Sequence, residues 1–132
     1  TLARMPQDCD FAVIEIGMSN PGEIAPLSRL TCPHVAMITT VGPAHLQAFD
    51  DINGIAREKA AIIDGLVSGG VAVLNADTET SEILQRYASK REVTQVLFGQ
   101  MSRTWALKHV ALAQGKTLVQ ADTPNGPLMF KL

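Results

Sequence analysis

The sequence is poor in cysteine and aromatic residues and has no excess of charge of either sign. Its two cysteines, Cys9 and Cys32, stand in no CxxC spacing, so we expect no disulfide and a reducing, cytoplasmic environment. A formal net charge of -2 without a block of like charges excludes the electrostatic footprint of a nucleic-acid partner. No apolar run is long enough to span a bilayer, and none resembles a secretory signal, so no membrane partner is expected.

What remains is the composition of a soluble, folded chain. Hydrophobic residues make up 46% and charged residues 18% of the 132 residues, which argues against intrinsic disorder. A chain of this length buries about 70% of the surface that its unfolded state exposes, which suits one domain. Because the first residue is Thr1 rather than Met, we expect a processed chain or an excised fragment.

Residues 1–99 alternate short apolar runs with segments of helical periodicity. The run at 11–16 is continuous and apolar up to Glu15, the pattern of a parallel strand buried on both faces. Strands that alternate with helices predict right-handed crossovers and an α/β fold with a mostly parallel sheet. The predicted strands are 11–16, 35–38, 71–74 and 93–98, and the predicted helices are 20–30, 51–66 and 77–87, the last with Asp77 as a possible cap.

Residues 100–132 have a different pattern, which predicts a small antiparallel meander that belongs to the same domain. Short alternating segments at 105–112, 117–121 and 128–132 are separated by two turn sequences that contain Gly115 and Gly126. Gly115-Lys116-Thr117 imitates the end of a phosphate-binding loop. However, Val110 occupies the position of the first glycine, so we interpret the segment as a turn.

Two candidate site residues follow predicted strands. Glu15 ends the first and His45 follows the second, and the carboxyl ends of parallel strands are where such sheets bind ligands. A carboxylate and an imidazole converging there suit Mg2+ or Mn2+, or acid–base chemistry. The alternatives are structural: Glu15 pairs with a buried cation, and His45 caps a backbone carbonyl.

Lys59 lies on the apolar face of the predicted helix 51–66, whereas Glu58 is expected to point to solvent. An unpaired buried ammonium is costly, so Lys59 must snorkel, pair with a carboxylate or lose its charge. A neutral amine that takes up CO2 becomes a carbamate, which would be an oxygen ligand for a metal.

Two further places are open to either a binding or a structural interpretation. The amides of 20–23, at the start of a predicted helix, either meet an anion or only begin the helix. Asn75 and Asp77 follow the third strand and either touch a ligand at the sheet edge or, for Asp77, cap a helix.

Five blocks in this order and spacing resemble the central ATP-binding domain of the Mur ligase family, most closely its MurF type. The resemblance covers residues 8–98 well, and the predicted meander fits the small antiparallel sheet of that domain. The blocks are Ala12–Met18, Asn20–Ile24, Gly42–Leu46, Glu58–Ile62 and Leu74–Asp77.

The resemblance implies a truncated P-loop-type domain with ATP and Mg2+ as cofactors. Glu15 would correspond to a ligand of the Mg2+ on the ATP phosphates, and His45 to a ligand of a second Mg2+. Lys59 would be carbamylated to hold that second metal, so that His45 and Lys59 act in catalysis. Asn75 is expected on the cofactor side.

The activity implied is the joining of D-alanyl-D-alanine to UDP-N-acetylmuramoyl-tripeptide through an acyl phosphate, by a cytoplasmic monomer. The family's phosphate-binding loop is not among these residues, so we expect the chain alone to be inactive. The competing hypotheses are another ligase of the superfamily, such as folylpolyglutamate synthase, and a non-catalytic α/β binding module.

Overall fold

The structure is a computed structural model that describes residues 5–6, 8–44, 46–113 and 115–132. Helices α1, α2 and α3 comprise Ile24–Thr31, Ile52–Ala60 and Ser81–Ser89, and 3₁₀ turns lie at Leu46–Ala48 and Ala61–Gly65. Within these ranges no helix has the length and apolar character needed to cross a bilayer. The strands β1 to β6 are Val35–Ile38, Val71–Asn75, Thr94–Gly99, Trp105–Ala113, Lys116–Thr123 and Gly126–Lys131.

The strands form one mixed sheet in the order β1-β2-β3-β4-β5-β6. Strands β1 to β4 are parallel, with Val35 opposite Val71 at the start of β1 and Phe98 opposite Trp105 at the short contact of β3 with β4. Strands β4 to β6 are antiparallel. The mostly parallel sheet and its closing meander are therefore as predicted, and β1 to β3 lie within one residue of the predicted ranges.

Helices α2 and α3 cover one face of the parallel strands. Alternate residues of β1 and β2 point to this face, where Leu74 packs in one cluster with Ile55 of α2 and Leu84 of α3, all of them fully buried. The other face of β1 is open, with Val35 58% and Met37 50% exposed. A sheet covered on one side gives the period-2 burial seen in β1 and β2.

The predicted strand at 11–16 is wrong. The segment joins no ladder, and only Ile14 and Ile16 in it are half-buried, while Phe11 is 90% and Val13 96% exposed. A continuous apolar run becomes a buried strand only where a neighbouring strand and covering side chains are present. Among the described residues nothing covers Phe11 or Val13.

Asp77 does not cap the third helix. α3 begins at Ser81, and Asp77 instead accepts hydrogen bonds from the amides of Gln100 and Met101 at 2.7 and 2.8 Å, after β3. Gly99 makes this approach possible, because a Cβ at its position would lie 2.5 Å from the Asp77 carboxylate. The Asp77 carboxylate, which was expected to cap α3, thus binds the loop that follows β3 instead.

The meander turns are glycine turns, as predicted. Gly115 and Gly126 have φ of 71° and 109°, the left-handed region that glycine enters without steric cost. Lys116 and Thr117 begin β5, so the sequence that imitates a phosphate loop is part of a hairpin.

Asp51 caps α2, and its contribution to stability depends on pH. Its carboxylate accepts from the Gly54 amide at 2.7 Å and from the Asn53 side chain at 2.9 Å, and these bonds lower the pKa of Asp51 below its ordinary value of 3.8. A group with a depressed folded pKa stabilises the fold above its unfolded pKa and loses that contribution as the pH falls through the folded pKa.

We therefore expect Asp51→Ala to lower the urea midpoint at pH 7 and to approach the wild-type midpoint below pH 3.8. Asp51→Asn is the control, because it keeps an acceptor that does not titrate in this range. A difference between wild type and Asp51→Ala that stays constant from pH 7 to pH 3 would contradict the expectation.

Candidate functional site

A cavity of about 500 Å³ lies beyond the carboxyl end of β1. One wall is the segment 14–18, a second is the chain that leaves β1, and the third is the inward face of α2. Its polar lining includes Glu15, Thr39, Thr40 and Lys59, and we call this cavity the crevice. It lies at the edge of the sheet where α/β folds bind ligands.

Lys59 reaches the crevice from α2. Its ammonium Nζ donates a hydrogen bond to the Thr40 carbonyl oxygen at 2.9 Å, and the side chain is half-buried between Ile55 and Ile62 of the same lining. The bond satisfies one of its three N–H donors. The apolar stem packs along the helix face, and the amine lies in the crevice with Glu15.

Glu15 lines the same crevice from the wall formed by residues 14–18, although it does not end a strand. It lies in the segment before Gly17, which joins no sheet, and its side chain is exposed. The expectation that it marks the carboxyl end of a parallel strand is therefore wrong, since no strand forms there. His45 lies outside the described residues, so its approach to Glu15 stays a prediction.

Asn75 ties the ends of two strands together. From the last position of β2, its amide donates to the Thr39 carbonyl at 2.8 Å and its side-chain oxygen accepts from the Asp77 amide at 2.8 Å. It also lines a second, mostly aromatic and aliphatic cavity of about 390 Å³ that includes Trp105. The position fixes the edge of the sheet next to the crevice, and a role in cofactor binding stays a prediction.

Glu58 does not point to solvent, as the sequence analysis predicted, but binds the start of α1. Its side chain is half-buried, and its two carboxylate oxygens accept from the amides of Gly22 at 2.8 Å and Ile24 at 2.9 Å, where α1 begins. Glu23 accepts from the amide of Ser19 at 2.7 Å. The start of α1 is thus closed by carboxylates of the chain itself, which favours the ordinary helix start over an anion site.

The donors of the crevice suit a hard cation held together with phosphate. Among the described residues no three His, Cys, Asp or Glu side chains are grouped to hold a metal ion. Glu15 is the carboxylate of the crevice lining as described. Mg2+ is usually bound through one or two carboxylates together with substrate phosphates and water, so a single carboxylate beside an open cavity fits that mode.

These features define an α/β domain with a ligand crevice at the carboxyl edge of its parallel strands. Comparison with family models is more specific, because the model of the Mur ligase middle domain matches residues 1–132. The chain belongs to the Mur ligase family, as a middle domain.

Several proteins that the chain resembles are ligases of the MurF type. The UDP-N-acetylmuramoyl-tripeptide–D-alanyl-D-alanine ligase of Escherichia coli is 31% identical over 96% of this chain. A crystal structure of MurF from Acinetobacter baumannii superimposes on 99% of the chain with a TM-score of 0.91 and 27% identity. MurF from Thermotoga maritima in complex with ADP covers 86% of the chain and 26% of its own, with a TM-score of 0.70 and 27% identity.

The chain spans 28% of the length of both the Escherichia coli enzyme and the Acinetobacter structure. The apo form of L. casei FPGS is also similar, over 75% of this chain and 23% of its own, with a TM-score of 0.62. At 18% identity that likeness shows the shared fold alone.

Proposed function

We propose that the chain is part of an ATP-dependent ligase that joins D-alanyl-D-alanine to UDP-N-acetylmuramoyl-tripeptide through an acyl phosphate. The observation that carries this proposal is the similarity along nearly the whole chain to a ligase of that description. The ADP complex of a MurF relative supports ATP as the nucleotide. We expect the protein to act as a cytoplasmic monomer.

Glu15 is the residue that we propose to hold Mg2+ together with the ATP phosphates. Its carboxylate lies on the open side of the crevice, where phosphate oxygens have room to complete the coordination. When bound, the metal would neutralise charge on the phosphate oxygens. His45, which follows β1 in the sequence, is proposed as a ligand of a second Mg2+.

Lys59 is proposed to act as a carbamate in the intact ligase. The ammonium first loses one proton to solvent. The neutral amine then attacks CO2, an N–C bond forms as one C–O π bond of CO2 breaks, and a second proton leaves for solvent, so that a cation becomes an anion with two oxygens. In the chain as described, Nζ donates to the Thr40 carbonyl. The carbamate would place its oxygens in the crevice that Glu15 also lines.

The proposal is tested in the full-length protein by ATP-driven, D-alanyl-D-alanine-dependent formation of the UDP-linked pentapeptide. Glu15→Gln keeps the shape of the side chain and removes the charge that attracts Mg2+. We expect the Mg2+ concentration for half-maximal activity to rise by roughly 10- to 100-fold.

Glu79→Gln is the matched control, because Glu79 is exposed in the turn before α3, away from the crevice lining. An unchanged Mg2+ midpoint in Glu15→Gln would overturn the role of Glu15. Product formed from a different acceptor, with none from D-alanyl-D-alanine, would instead assign the chain to another ligase of the family.

A further inference from the structure

Glu58 and Lys59 are consecutive on α2 but serve different segments. Lys59 bonds the chain beyond β1 through the Thr40 carbonyl, whereas Glu58 bonds the chain before α1 through Gly22 and Ile24. The two side chains thus connect α2 to two of the walls that surround the crevice. A helix that holds both walls sets the width of the space between them.

The segment that Glu58 holds continues directly from Glu15. Residues 14–18 line the crevice, and Ile24, whose amide bonds Glu58, lines it as well. This segment has no strand partner among the described residues, so the sheet does not hold Glu15 in place. The contacts of Glu58, from 34 and 36 residues away in the sequence, supply a tertiary anchor for it.

The anchor requires a carboxylate. The first amides of a helix have no partner within the helix, and α1 has no side-chain cap of its own at Glu23. Each oxygen of Glu58 accepts one of two amides, and its negative charge is favourable at a helix N-terminus. A glutamine would offer one oxygen and would turn an N–H donor toward the second amide.

We propose that Glu58 is a positioning residue of the crevice: its carboxylate fixes the 17–24 segment to α2 and so sets where Glu15 lies relative to Lys59. The inference rests on the proposed function, since it concerns the same crevice and the Mg2+ proposed there. Glu58 itself touches neither the substrate nor the metal.

The test is Glu58→Gln in the full-length protein, with Glu79→Gln as the matched control. Hydrogen exchange followed by mass spectrometry should show exchange at the amides of Gly22 and Ile24 faster by at least roughly tenfold. Exchange at the Gly54 amide, which Asp51 holds, should stay unchanged and so report that α2 is intact. The Mg2+ midpoint of the ligase reaction should rise by roughly tenfold, with activity recovering at saturating Mg2+.

A second variant, Glu58→Asp, keeps the charge and shortens the side chain by one methylene, so it should behave like Glu58→Gln. Faster exchange with an unchanged Mg2+ midpoint would reduce Glu58 to a structural cap and overturn the proposal. Unchanged exchange at the Gly22 and Ile24 amides in both Glu58→Gln and Glu58→Asp would also overturn it. If Glu15→Gln and Lys59→Ala both keep full activity and the wild-type Mg2+ midpoint, the metal site proposed at the crevice fails, whatever Glu58 does to exchange. If the wild-type protein forms no product from D-alanyl-D-alanine, the proposed function itself fails, and the exchange result still reports whether Glu58 anchors the segment.

Discussion

Replacing Lys59 with alanine in the full-length ligase should lower its rate by at least about 100-fold, the effect of removing one group that stabilises charge in a transition state. Lys59 lies inside the crevice rather than in bulk water, and its amine is held by the Thr40 carbonyl. Removing it leaves the fold of α2 intact, because alanine is a better helix former than lysine. The rate of ADP release in the presence of D-alanyl-D-alanine measures the loss.

Two companion variants separate a carbamate from a simple positive charge. Lys59→Arg keeps the charge but cannot take up CO2, so it should be as inactive as Lys59→Ala. Short-chain carboxylic acids should restore part of the activity of Lys59→Ala by occupying the place of the carbamate. Lys90→Ala, at an exposed lysine that follows α3, should behave as wild type.

An active Lys59→Arg variant would show that Lys59 acts through its positive charge, and a Lys59→Ala variant that no carboxylate rescues would contradict the carbamate. Full activity of Lys59→Ala would leave it as a lysine that snorkels from the core edge.

The place of Lys59 could be predicted because it depends on one helix alone. Apolar residues at helical spacing, such as Ile55 and Ile62, define the inward face, and Lys59 falls within that arc. The prediction that Glu58 points to solvent was wrong because it needed information from a second helix. A single helix shows only which side is apolar, and what covers its other side depends on α1, whose start lies 34 residues earlier.

The strands, like the two helix residues, were predicted correctly where local sequence determines the structure and wrongly where distant segments do. The runs that became β1 and β2 and the unpaired run at 11–16 are all short and mostly apolar. Pattern alone does not reveal which run finds a neighbour, because pairing and coverage come from elements distant in sequence. The meander was easier to predict, since each hairpin depends on one short turn around Gly115 or Gly126.

A close helix contact that the sequence did not reveal gives the largest expected effect on stability. A Cβ at Gly65 would lie 2.2 Å from the carbonyl carbon and 2.3 Å from the carbonyl oxygen of Ser28 in α1. Ser28 is fully buried, and its hydroxyl donates to the Ile62 carbonyl at 2.5 Å, so the backbone there has no room to withdraw. Gly65→Ala must therefore push α1 away from the 3₁₀ turn that follows α2.

We expect Gly65→Ala to destabilise the fold by about 3 kcal/mol, at the upper end of the usual cost of overpacking. Gly54→Ala is the matched control, because its nearest neighbour would be an ordinary contact at 3.5 Å in the interior of α2. It should stabilise the fold by about 0.5–1 kcal/mol. Both variants change the unfolded chain alike, so the difference between their urea midpoints isolates the clash with Ser28.

The same displacement should reach the crevice. Ser28 and Ile24 belong to one short helix, so a shift that relieves Gly65→Ala also moves the Ile24 amide away from Glu58. Hydrogen exchange at Ile24 should therefore quicken in Gly65→Ala and stay slow in Gly54→Ala. If Gly65→Ala has the stability of wild type, the contact between α1 and the turn is looser than the backbone distances require, and Glu58 alone holds that wall in place.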